Sequence, residues 1–152
     1  MPPHAYVPGQ TARHPEDFFD PIKARLHPGM DAAAPARSDA WRGGWTCFNA
    51  GFYWEAHELF EPVWMALPEG PEREFVQGAI QLANAALKAR MDRPRAVVRL
   101  CDMAEGHFTA SGRKGDSVMG VPLAEAWAAV AVVRGGGRQK SQNLYYNAQK
   151  QN

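Results

Sequence analysis

The segment HELFE, His57 to Glu61, places an imidazole and two carboxylates within little more than one helical turn. At about 100° per residue, His57 and Glu61 stand one above the other and Glu58 lies at their edge. Two kinds of chemistry suit such a trio. His57 and Glu61 could bind one divalent cation, with Glu58 as a further ligand or as a base. Without a metal, Glu58 or Glu61 could work with His57 as an acid/base pair, since buried paired groups acquire the shifted pKa values that proton transfer needs. Zinc proteases carry H-E-x-x-H on a helix, and here Glu61 replaces the second histidine. No clear third or fourth protein ligand follows in the sequence, because Gln77 and Gln81 are poor zinc ligands. The expected cofactor is therefore none, with a divalent metal ion as the alternative. His57, Glu58 and Glu61 remain candidates with no catalytic role assigned.

The surroundings of the trio suggest what it contacts. Trp54, His57, Glu61 and Trp64 fall on one helical stripe, so aromatic and ionisable groups share a face. Charges carried into a core need partners. The next helical stretch, about 71 to 90, lines up Gln77, Gln81, Asn84 and Lys88 at spacings of four, three and four. Apolar residues cover most of the remaining cylinder, so this helix reads as largely buried, with its amides in need of buried partners. The expectation is a buried polar cluster of His57, Glu58, Glu61, Gln77 and Gln81 between two facing helices. Tyr53, Trp54 and Trp64 would line a groove beside it, open to a small molecule or a peptide.

The elements that must hold these residues are all helical. Trp41, Trp45 and Phe48 recur at three or four positions behind Ser38 or Asp39 as a cap, which predicts a helix over about 40 to 49. Asn49 and Gly51 suit a tight stop before a second, antiparallel helix from Phe52 to about Leu67. Pro62 removes a backbone donor inside that helix and predicts a kink. Pro71 opens the third helix, with Glu72 and Glu74 at its positive end. A fourth begins near Asp92 and Pro94, with Val97, Leu100, Cys101, Ala104 and Phe108 inward. Thr109 to Gly120 reads as a surface loop, and Pro122 starts a last short helix with Leu123, Trp127 and Val130 inward. The fold class is all-α, a single small domain of about five helices arranged as antiparallel hairpins or a bundle.

The 152 residues, 45% of them hydrophobic, suffice for one domain with a core of its own. Residues 1–38 form a proline-rich irregular arm, 39–133 the helical core domain, and 134–152 a polar basic tail that reads as disordered. Phe18, Phe19, Ile22 and Leu26 have amphipathic spacing, so the arm could pack on the domain or on a second subunit, compatible with a homo-oligomer. His4, His14 and His27 read as solvent-exposed. The tail's four basic residues, subtracted from the 17 in the chain, leave 13 against 16 acidic. The net charge of +1 gives no field that favours nucleic acid or an anionic membrane. No stretch approaches the roughly 18 to 20 apolar residues of a membrane span. The two cysteines, Cys47 and Cys101, read as buried free thiols, and the protein as soluble and cytoplasmic.

FNAGFYWEAHELFEPVW followed by EFVQGAIQLANA resembles the bacterial and archaeal domain-of-unknown-function 309 family, over roughly residues 40 to 130. The shared pattern is carried by Asn49, Gly51, Tyr53, Glu55, His57, Glu58, Glu61, Trp64, Gln77, Gly78 and Gln81. The resemblance implies a small all-helical domain with no established activity. Taken together, the sequence indicates a helical binding or interaction module for an unidentified small molecule or protein. The alternative is a metal-dependent or acid/base hydrolase using the HELFE segment.

Overall fold

The computed structural model describes residues 1–31 and 33–135. Six α-helices follow one another among them: α1 (Asp20–Lys23), α2 (Asp39–Asn49), α3 (Tyr53–Ala66), α4 (Pro71–Arg90), α5 (Pro94–Ser111) and α6 (Leu123–Arg134). A 3-10 turn, Pro35–Arg37, precedes α2. A hairpin of two two-residue strands, β1 (Ser117–Val118) and β2 (Val121–Pro122), precedes α6. The class is all-α and the chain folds as one domain, with α4 packed on α3 along one side and on α5 along the other.

Local chemistry accounts for the boundaries. Ser38 caps α2, its hydroxyl accepting from the Trp41 amide at 3.1 Å. Gly51 turns the chain between α2 and α3 at φ 84, a left-handed conformation that glycine takes without steric cost. Asn49 closes α2 with ordinary helical angles, so the turn needs only the one glycine. Arg90, the last residue of α4, reaches back over this turn. One guanidinium nitrogen donates to the Gly51 carbonyl and the group lies 4.7 Å over the Tyr53 ring. Pro62 sits inside α3, which continues for another turn to Ala66. Pro71 opens α4 at the first turn, as its missing donor and fixed φ allow.

A chain of aromatic rings joins four helices through the core. Trp41 meets Trp45 at 5.5 Å, Phe60 of α3 at 5.2 Å and Phe75 of α4 at 5.9 Å; Phe75 meets Phe108 of α5 at 5.2 Å. All five are fully buried. Two glycines admit them: a Cβ on Gly44 would run into the Phe60 ring, and one on Gly78 would stand 2.5 Å from the Phe108 ring. The stretch after α5 contributes to the core as well as to the surface. Its hairpin turn, Met119 and Gly120 at φ 51 and 77, presents the Met119 carbonyl to the Trp41 indole N–H at 2.9 Å. Val118 and Val121 are buried beneath it.

The arm is irregular apart from α1 and the 3-10 turn, yet it is not laid outside the core. Val7, Phe19 and Pro35 are buried, and Ile22 and Leu26 pack against the core at its edge. Prolines forbid a long helix here, but they leave the chain free to lie flat on the body in short turns. His14 corrects the expectation of an exposed side chain, being 6% exposed. At the other end, Arg134 is the last residue of α6 and ties it to α5 through Asp102 at 2.9 Å and Glu105 at 2.7 Å. Residues 136–152 of the basic tail, with Tyr145 and Tyr146, lie outside the described residues. Among those described, no helix is long and apolar enough to cross a membrane.

Candidate functional site

The inward face of α3 is built by Tyr53, Ala56, Leu59, Phe60 and Val63, spaced three and four apart. The stripe of Trp54, His57, Glu61 and Trp64 is therefore rotated to the edge of the core. Trp54, His57 and Trp64 are half-buried and Glu61 is exposed. Of the polar residues expected to cluster, His57, Glu58 and Glu61 do come together. A ring nitrogen and one oxygen of each carboxylate all lie within 4.8 Å of one another.

His57 Nε2 is 2.9 Å from Glu61 Oε1, and Nδ1 is 3.2 Å from the Trp54 carbonyl. Glu58 Oε1 is 3.9 Å from the same ring, while Glu58 Oε2 accepts from the Lys23 ammonium of α1 at 2.8 Å. Burial pulls the His57 pKa down, but the hydrogen bond and charge of Glu61, helped by Glu58, outweigh it, and the net shift is upward. Glu61 moves the other way. Its bond to His57 and the nearby charges of His57 and Lys23 hold its carboxyl below the usual range against partial burial.

Gln77 and Gln81 do not join this group. They face away along α4 and, among the described residues, make no side-chain hydrogen bond to His57, Glu58 or Glu61. The two amides need no buried partner, because the face they occupy is only half-buried and opens into a cleft. That cleft, about 460 Å³, lies where the end of α3 and the starts of α4 and α5's second half meet, lined by Trp64, Glu69, Gly70, Arg73, Glu74, Gln77, Gln81, Met103 and His107. The Arg73 guanidinium lies 4.0 Å over the Trp64 ring. Its Nε is buried with no hydrogen-bond partner, and no carboxylate among the described residues pairs with it. Glu74 is engaged instead by His107 Nδ1 at 2.8 Å. Of the aromatics expected to line one groove, only Trp64 is in the cleft. Tyr53 is buried under Arg90, and Trp54 packs edge-on against Tyr6 of the arm at 5.1 Å.

The residue that sequence reasoning passed over is Glu55. It is fully buried, and Oε2 accepts from the Tyr6 amide at 2.9 Å and from His14 Nε2 at 2.8 Å. Its other oxygen is buried with no partner among the described residues. A signal was present: Glu55 stands four residues before Leu59 and eight before Val63, on the apolar face of α3. Beside it Cys47 is buried, and burial, reinforced by the Glu55 charge, pushes its thiol up to about 12. Cys47 and Cys101 are both free.

No curated protein and no solved structure matches the chain. Residues 41–100 match the family model described as "Domain of unknown function (DUF309)". The matched segment holds His57, Glu58, Glu61 and most of the cleft lining, while Lys23, His14 and His107 stand outside it. Through α2, α3, α4 and the first turns of α5, residues 41–100, the chain is similar to the DUF309 family.

Proposed function

We propose that the protein is a small-molecule binding module whose ligand occupies the cleft between Trp64, Arg73, Gln77, Gln81 and His107. The observation that carries this reading is Arg73: a guanidinium with no acidic partner among the described residues, stacked on Trp64 at 4.0 Å and facing an open cleft. A guanidinium held over an indole is pre-organised to receive a carboxylate through two N–H donors. Gln77 and Gln81 each add a donor and an acceptor that no other side chain among the described residues uses. Glu69 and Glu74 also line the cleft and bring negative charge to it. The ligand chemistry that matches is a small molecule with a carboxylate for Arg73 and amide or amine groups for the glutamines and the acidic rim. The buried free thiols fit a reducing, cytoplasmic setting.

The test is thermal denaturation in the presence of acetate, benzoate, glutamate and glutamine at millimolar concentration. A ligand at a hundred times its Kd stabilises the folded state by about 2.7 kcal/mol. We expect glutamate or benzoate to raise the melting temperature in the wild type and to have no effect in Arg73→Gln or in Gln77→Leu. Equal stabilisation in wild type and both variants, or none by any of the four compounds, overturns the reading.

A further inference from the structure

Charge is segregated along this chain in a way that its near-neutral total conceals. Between residues 88 and 101 stand five cationic residues, Lys88, Arg90, Arg93, Arg95 and Arg99, against a single acid, Asp92. They occupy the end of α4, the turn after it and the first turns of α5. The end of α6 lies at the same place, since Arg134 lines a hollow of about 310 Å³ together with Asp92, Arg93, Pro94 and Val98. The sequence beyond Gly135 then adds Arg138, Lys140 and Lys150 and no acid. With these nine basic residues set aside, 8 of the 17 remain for the rest of the chain, against 13 of the 16 acids once Asp92, Asp102 and Glu105 are set aside likewise. One pole of the domain is basic on an otherwise acidic body. The cleft of Arg73 lies toward the other end of α4, so this pole is a separate surface.

The cations here are unspent. Lys23, Arg25 and Arg42 elsewhere are paired with carboxylates, and Arg134 with Asp102 and Glu105. Arg93, Arg95 and Arg99 are exposed, and among the described residues neither they nor Lys88 has an acid within ion-pair reach. Arg95 and Arg99 are four apart and so stand one above the other on α5, with Val98 beside them. The first turn of α5 carries no acid, so the positive end of that helix adds to the field. Arginine in preference to lysine favours phosphate, whose oxygens its fork can take two at a time. Aromatic residues are missing: residues 88–101 contain none, and Tyr53 beneath Arg90 is buried. Stacking on unpaired bases and anchoring in a membrane interface both draw on exposed aromatic rings, whereas contact with the backbone of a duplex does not. We propose that the surface of Arg93, Arg95 and Arg99 binds the phosphate backbone of double-stranded nucleic acid without reading its sequence.

Fluorescence anisotropy of the untagged full chain with labelled DNA and RNA duplexes of mixed sequence tests this directly. Neutralising three phosphates releases enough counterions to weaken binding about 40-fold between 50 and 200 mM salt. We expect that salt dependence in the wild type on at least one of the two duplexes. The triple variant Arg93→Gln, Arg95→Gln, Arg99→Gln should bind at least tenfold more weakly at low salt and lose most of the dependence. A charge-matched control, Arg13→Gln, Arg37→Gln, Arg113→Gln, removes three exposed guanidiniums elsewhere and should stay within about threefold of wild type. Equal losses in the two triple variants would mean general attraction with no site, and refute the assignment. So would a tenfold preference for single strands, or binding to vesicles containing phosphatidylserine with none to either duplex. No binding of either duplex at about 100 μM protein and low salt overturns the proposal altogether.

Discussion

Replacing His14 by alanine should destabilise this protein more than its place in an irregular, proline-rich arm suggests. Glu55 is 0% exposed and holds two donors, the Tyr6 amide and His14 Nε2. In His14→Ala the carboxylate stays buried with the Tyr6 amide alone, its second oxygen already lacking a partner. Breaking a buried pair from one side costs about 3–5 kcal/mol, because the remaining charge is left uncompensated. The lost ring also stacked between His4 at 4.7 Å and Phe18 at 5.2 Å, so local packing suffers in the same direction. At about 2–4 °C per kcal/mol for a chain of this size, the melting temperature should fall by about 6–20 °C. The informative comparison is with Glu55→Gln. The amide still accepts from Tyr6 and carries no charge, so Glu55→Gln alone should cost only about 1–2 kcal/mol. Added to His14→Ala it should restore part of the loss, because it removes the stranded charge. Thermal melts of wild type, the two single variants and the double variant near neutral pH measure all four corners. A His14→Ala melt within about 2 °C of wild type, or strictly additive losses, would refute the reasoning that Glu55 depends on the arm.

Three further outcomes follow from other contacts. Gly78→Ala places a methyl group against the Phe108 ring and should destabilise by about 1–3 kcal/mol, read from urea unfolding; a neutral result would mean that α4 and α5 separate freely. Cys47, with its thiol held up to about 12 by burial and then by Glu55, should resist alkylation by iodoacetamide in the native state and react once the protein is unfolded, as mass spectrometry of the modified peptide will show. Asp39 is held below its ordinary value chiefly by its hydrogen bond to Arg42, with Arg25 adding to it. As a depressed carboxylate it favours the folded state above the unfolded pKa and loses that contribution as pH falls through the folded one. An NMR titration should find Asp39 below 3.8, and Arg42→Ala should move it upward.

Much of the fold can be read from the chain because its punctuation is local. Pro71 with two following glutamates, and Gly51 after Asn49, mark ends that depend on nearby residues alone, and α4 runs from Pro71 to Arg90 as its spacing predicts. The site was legible only in part. His57, Glu58 and Glu61 lie on one turn of one helix, so their proximity follows from helical geometry, whatever packs around them. Leu59, Phe60 and Val63, and not the tryptophans, decide which face of α3 turns inward. Indole rings with a polar edge sit readily at a boundary, whereas a run of aliphatics at helical spacing must go in. That rotation carries Glu55 inward and leaves Gln77 and Gln81 on a half-buried face of α4. The contacts of the arm are long-range: Tyr6 and His14 meet a residue more than forty positions away, and no local pattern records that.

Phe108, seated in the gap that Gly78 leaves open, and Met119, whose carbonyl receives the Trp41 indole, also bear on where this domain can be cut. Both come from beyond residue 100, where the family match ends. A fragment trimmed to 41–100 would expose one side of Phe75, leave the Trp41 N–H without its acceptor and lose the surface that α6 lays on α4 and α5. The family-matched stretch is thus not expected to fold as an independent unit. The shortest piece to express, crystallise or graft onto another protein extends at least through α6, to Arg134.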